Sequence, residues 1–109
     1  MHEFVMCLQD LKDATGCSAM DIAKGLLDHG IHPPTMYFPL IVHEALMIEP
    51  TETESQETMD EVCGVFLHLW DVAHSAPQTL HDAPTRTPVR RLDEVGAARN
   101  PVLRYTPHD

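Results

Sequence analysis

Eight histidines, three cysteines and a run of glutamates are the side chains of this 109-residue sequence with chemistry to offer. A transition-metal site needs several such ligands on one face of an element or in a close pair. His29 and His32 are divided by a helix stop and Pro33, while His68 and His74, six apart, fall on different helix faces. Neither Cys-x-x-Cys nor His-Glu-x-x-His occurs, so the histidines read as surface or capping residues and no metal is expected. Glu49, Glu52 and Glu54 offer acid–base work, but carboxylates at a helix start more often offset its dipole. Gly16, Gly25, Gly30, Gly64 and Gly96 are too scattered for a phosphate loop, and no Gly-x-Ser-x-Gly marks an activated serine. Cys7 and Cys63 fall on faces expected to be buried, where a thiol is inert. Three cysteines without paired spacing fit a reducing compartment, the cytoplasm. Taken alone, the residues contain no complete catalytic set.

The length allows one domain with a modest core. A formal charge of −10 argues against nucleic acid, which requires a basic face. The longest apolar run, Phe38 to Ile48, is short and holds His43 and Glu44, so no membrane span is expected. No basic segment precedes an apolar one at the start, which argues against a secretory signal. Arg86, Arg90, Arg91, Arg99 and Arg104 all lie in the last 24 residues. Such a tail either lies on an acidic surface, its own or a partner's, or is a solvated mixed-charge segment.

The elements that must position these residues follow from periodicity. Glu3 to Gln9 alternates as a strand buried on at least one face, and Asp10 to Gly16 reads as a connection. Ser18 caps a helix with Asp21 in the capping-box position; Met20, Ile22, Ala23, Leu26 and Leu27 form its apolar face and Gly30 its stop. Gly25, mid-helix, marks close packing or drift. Pro33 and Pro34 force an extended approach to two short strands, Thr35 to Phe38 and Ala45 to Ile48. Thr53 with Gln56, or Thr51 with Glu54, would cap a long helix whose apolar face is Met59, Val62, Phe66, Leu69, Trp70 and Ala73, ending near Ser75. A further turn is expected at Gln78 to His81, and two helical turns fit Leu92 to Arg99. The result is a two-layer α/β fold: a small, mostly antiparallel sheet with two helices on one face and no obvious cover on the other. It divides into a small domain, residues 1–82, and a Pro/Arg-rich extension, residues 83–109, packed on the domain or on a partner.

Five motifs occur in one order and at one spacing: His2-Glu3-Phe4-Val5; Asp21-Ile22-Ala23-Lys24; His32-Pro33-Pro34-Thr35 with Tyr37-Phe38-Pro39; Ala45 through Ser55 (ALMIEPTETES); and Thr87 through Glu94 (TPVRRLDE). Together they resemble the C-terminal part of glycine dehydrogenase (decarboxylating), the P-protein of the glycine cleavage system. The similarity covers nearly the whole chain and is greatest to subunit 2 of the two-subunit bacterial and archaeal form. It implies the small domain of an aspartate-aminotransferase-fold enzyme that uses pyridoxal phosphate. That family decarboxylates glycine and passes the aminomethyl group to the lipoyl arm of the H-protein.

The implied partners are the pyridoxal-phosphate domain of the same or a companion polypeptide, the other P-protein subunit and the lipoyl H-protein. The large domain would cover the open sheet face. Neither Lys12 nor Lys24 matches the family's Schiff-base lysine, so the chain should bind no cofactor covalently, carry no catalytic residue and be inactive by itself. It would then be a C-terminal fragment or a separately encoded small domain. His32, Thr35, Glu49, Thr51 and Glu52 carry over as a group, the rim of the active-site cleft or the domain interface. Their other reading is structural, as caps that fix the strand–helix corner. Cys7, Gly25, His43 and Gly64 depart from the family pattern. Rival readings are a stand-alone amino-acid-binding or regulatory α/β module and a remnant of a truncated gene.

Overall fold

Three strands, β1 (Phe4–Cys7), β2 (Thr35–Met36) and β3 (Ala45–Ile48), form an antiparallel sheet with β3 in the middle. The computed structural model describes residues 2–107; residues 1, 108 and 109, at the ends of the two ranges expected above, lie outside the described residues. Phe4 pairs with Ile48 and Cys7 with Ala45, while Thr35 pairs with Met47. Strand alternation then sorts the side chains. Met6, Met36, Leu46 and Ile48 pack into the core, and Val5, Cys7, Thr35 and Met47 share the other face. Val5, Cys7 and Thr35 are exposed there. The sheet therefore has one covered face and one largely open one, on which, among the described residues, only Ala45, beside Cys7, is buried.

The covering layer is α1 (Gln9–Thr15), α2 (Ala19–Asp28), α3 (Gln56–Ser75) and α4 (Pro77–Asp82); a short α5 (Glu94–Arg99) follows. Helix α2 starts as its sequence requires: the Ser18 side chain accepts from the Asp21 N–H while Asp21 accepts from the Ser18 N–H. Gly25 touches the neighbouring helices, since a Cβ there would meet Leu69 Cδ2 at 3.0 Å and Leu80 Cδ2 at 3.1 Å. Close packing explains it.

Several expectations are corrected. The segment expected as a connection, Asp10 to Gly16, is mostly helix α1. Leu11 is only 1% exposed, Gln9 bonds Asp13 one turn on at 2.8 Å, and Gly16 closes the helix at φ 79°. The strand expected at Thr35 to Phe38 stops at Met36, because Tyr37 turns the backbone to φ 58°. Helix α3 is capped by Ser55, which accepts from the Thr58 N–H, and not by Thr51 or Thr53. Its apolar face is buried only toward its end, at Leu69 and Ala73; Met59 is 39% and Trp70 45% exposed. Cys7 and Cys63 are exposed, not buried: Cys7 lies on the open sheet face and Cys63 on the outer side of α3. Among the three thiols Cys17 alone is enclosed, and burial raises its pKa.

Candidate functional site

The register of β3 places the five expected rim residues around one end of the sheet, the end marked by Phe4 and Ile48. Thr35 stands beside Met47 on the open face, and Glu49 continues β3 two residues beyond Met47. His2 Nε2 reaches Glu49 Oε1 at 3.1 Å and Glu3 Oε2 at 3.3 Å. Thr51 begins a turn that the Glu54 N–H closes on its carbonyl at 3.1 Å, and its hydroxyl lies 2.9 Å from that of Thr53. Glu52 sits within this turn. His32 lies on the connection into β2. His32, Glu49, Thr51 and Glu52 are exposed like Thr35. Geometrically this is a polar, solvent-facing border beside an uncovered apolar face.

Two carboxylates that hold the scaffold, Glu44 and Asp28, escaped sequence reasoning, and a third, Asp21, was expected only as a cap. Glu44, on the loop into β3, is only 8% exposed and adopts φ 50°. Its carboxylate accepts from Lys12 Nζ and, at 2.7 Å, from the Ala19 N–H at the start of α2. The Glu44 hydrogen bond and charge raise the Lys12 pKa and keep that lysine protonated. The one signal in the sequence is a lone acid between two apolar stretches.

Asp21 does more than cap α2. Its Oδ1 accepts from Arg91 Nη2 at 2.7 Å, and its Oδ2 from the Ser18 N–H at 2.9 Å and His81 Nδ1 at 3.0 Å. Burial alone would raise the Asp21 pKa, but the Ser18 bond, the Arg91 guanidinium and His81 together hold it below its ordinary value. Arg91 also donates to the carbonyls of Ala83 and Leu80. Asp28 accepts from the Thr85 N–H at 2.8 Å and the Arg86 N–H at 2.7 Å. Its pKa is likewise lowered, against the opposing effect of burial, first by those backbone donors.

Cys17, Asp21 and His81 bring three potential metal ligands within 4.8 Å of one another. Arg91 already neutralises Asp21 and both carboxylate oxygens carry hydrogen bonds, so this is a closed clamp and not an open coordination site. The lysines fit a pyridoxal-phosphate Schiff base no better. That reaction needs an unprotonated amine, whereas Lys12 is locked to Glu44 and Lys24 lies 3.7 Å from Glu94. The groove between β1, α1 and α3, about 150 Å³, is lined by Met6, Leu8, Leu11, Phe66, Leu67 and Trp70 and offers no phosphate partner. Neither lysine, nor this groove, fits the cofactor.

Comparison with known proteins now decides the family. The model of the glycine dehydrogenase C-terminal domain matches residues 1–87. The chain belongs to the glycine dehydrogenase C-terminal domain family. Curated relatives agree along nearly all of its length. It is 62% identical over 105 residues to the probable glycine dehydrogenase (decarboxylating) subunit 2 of Treponema denticola. The proteins of the same description from Thermosipho africanus and Thiobacillus denitrificans are each 55% identical to it, over 105 and 106 residues. These matches take in 96–97% of this chain but 22% of each relative. A glycine dehydrogenase C-terminal domain is thus a small two-layer α/β unit, and the resemblance carried by the five motifs holds. Among the described residues no helix is long and apolar enough to cross a membrane.

Proposed function

We propose that this chain acts as the C-terminal domain of a pyridoxal-phosphate-dependent glycine dehydrogenase (decarboxylating) subunit. In this reading it takes part in glycine decarboxylation and aminomethyl transfer to the lipoyl H-protein, and only together with the polypeptide that carries the cofactor. The observation that carries this is the 62% identity along 96% of the chain to a protein of that description. The open sheet face supports it, as Val5, Cys7, Thr35 and Met47 form a surface a larger domain would cover. So does the chemistry of Lys12, whose amine is committed to Glu44.

His32, Thr35, Glu49, Thr51 and Glu52 are proposed, as a group, to border the cleft of the assembled enzyme and to orient substrate or lipoyl arm. Residues 1–82 form the domain proper in this reading, and residues 83–109 an extension fastened to it; the Arg91–Asp21 pair supports that division. Three cysteines without a disulfide suit the cytoplasm. The companion subunit of the two-subunit enzyme would be a further partner.

The test is glycine–bicarbonate exchange with pyridoxal phosphate and lipoyl protein. The purified chain should show no turnover. Grafted in place of the matching region of Treponema denticola subunit 2, and supplied with the first subunit, it should restore exchange. Turnover by the chain alone, or an inactive graft that folds, overturns the reading.

A further inference from the structure

The loop between β2 and β3 carries five apolar residues in succession, Phe38 to Val42, with no charge among them. At its tip Leu40 is 84% and Ile41 90% exposed, and Phe38 is half exposed. A mobile loop could fold such side chains back on its own domain; this one is fixed at both ends. The Tyr37 N–H donates to the Ala45 carbonyl at 2.8 Å and the Val42 N–H to the Pro39 carbonyl at 3.0 Å. The His43 carbonyl accepts from Cys7 Sγ at 3.2 Å, and the Glu44 carbonyl from the Leu8 N–H at 2.9 Å. Tyr37 and Glu44, at φ 58° and 50°, bracket the tip in left-handed conformations that are unfavourable for side chains of their size. Around Glu44 the Lys12 and Ala19 bonds hold that conformation in place. The loop is a rigid apolar prong whose tip rests on none of the other described residues.

We propose that the prong is a docking element for the cofactor-bearing remainder of its own subunit, an inference that rests on the function proposed above. An uncharged aliphatic tip suits a permanent interface, since contacts that form and dissolve, as with a carrier protein, are more polar. Relatives hold more than three quarters of their length outside the region this chain matches. A remainder of that size, joined covalently, meets the prong at high effective concentration. Preorganisation removes the ordering cost of the contact. The prong lies at the Ala45 end of β3 and the polar border at the Ile48 end, separated by roughly 10 Å of strand. Docking therefore leaves the border free to face the cleft.

The test places a thiol at the tip, Ile41→Cys, in a Cys7→Ser/Cys63→Ser background. Maleimide labelling of the peptide carrying residue 41 is followed by mass spectrometry. The chain alone and the Treponema denticola subunit 2 graft are compared, and Leu40→Cys gives the same readout at a second position. Labelling should be slower by about tenfold or more in the graft, without the first subunit present. Equal rates in the two proteins overturn the proposal, as does protection that appears only when the first subunit is added. Protection in the free chain accompanied by sedimentation as a dimer overturns it too, in favour of a second copy. Exchange activity of the graft is scored separately: an active graft with an unprotected tip sinks the prong alone, and an inactive folded graft with a protected tip sinks the activity alone.

Discussion

The carboxylate of Glu44 lies buried against the Lys12 ammonium and the Ala19 N–H, on a backbone held at φ 50°. It joins three elements at one point, since its carbonyl also takes the Leu8 N–H. The Lys12 side of the pair is half exposed, so Lys12→Ala should cost less than loss of the Glu44 carboxylate. Truncating Glu44 strands a buried N–H at the start of α2, and Glu44→Ala should cost about 2 kcal/mol. Glu44→Gly removes the same acceptor but relieves the left-handed backbone, recovering about 1 kcal/mol. Urea unfolding should thus rank wild type above Glu44→Gly above Glu44→Ala. A glycine variant no more stable than the alanine variant would show that no strain resides at this position.

At the scale of elements, α2 meets α3 and α4 closely at Gly25. Gly25→Ala would ordinarily gain about 1 kcal/mol in a helix interior. Here the added methyl meets the side chains of Leu69 and Leu80, both buried, at 3.0 and 3.1 Å, so each must shift by a few tenths of an ångström within the core. The substitution should lower the melting temperature; a rise would mean that this contact is looser than it stands. Helix α2 itself was legible from sequence because its signals are local, Ser18 with Asp21 at one end and Gly30 at the other. Helix α1 was not, because most of its residues are polar and the packing of Leu8 and Leu11 depends on distant partners. The α3 cap was expected at Thr51 or Thr53; Ser55, with the same hydroxyl chemistry, takes the role, and residue type cannot choose between such neighbours. Alternation named two faces of β1 without saying which one the helices cover, hence the misplaced Cys7. The border residues were readable only through the family resemblance, and gathering them at one sheet end required the register. Glu44 was hidden because its donors lie 25 and 32 residues away.

For the molecule as a whole, the segment after α4 is fastened to α2 by two carboxylates, Asp21 through Arg91 and Asp28 through the Thr85 and Arg86 amides. The chain's charge of −10 favours such pairing, because Arg91, one of five arginines in the last 24 residues, meets an acidic body. Removing Arg91 takes away its bonds to Asp21, Ala83 and Leu80 together, a loss of about 2 kcal/mol. Both carboxyls have folded-state pKa values below the ordinary 3.8. A depressed pKa contributes stability that is fully present above the unfolded value and is lost as pH falls through the folded one. Urea midpoints should therefore be level from neutrality to about pH 5 and drop below about pH 4. Arg91→Ala deprives Asp21 of its strongest cationic partner, so its folded pKa should rise toward or above the ordinary value while Asp28 keeps its amides. The variant should start lower at neutral pH and show a shallower acid decline, with the Asp28 contribution remaining. An acid slope equal to that of the wild type would show that Asp21 owes its ionisation to the Ser18 N–H and His81, and that the arginine anchors the tail only through the carbonyls of Leu80 and Ala83.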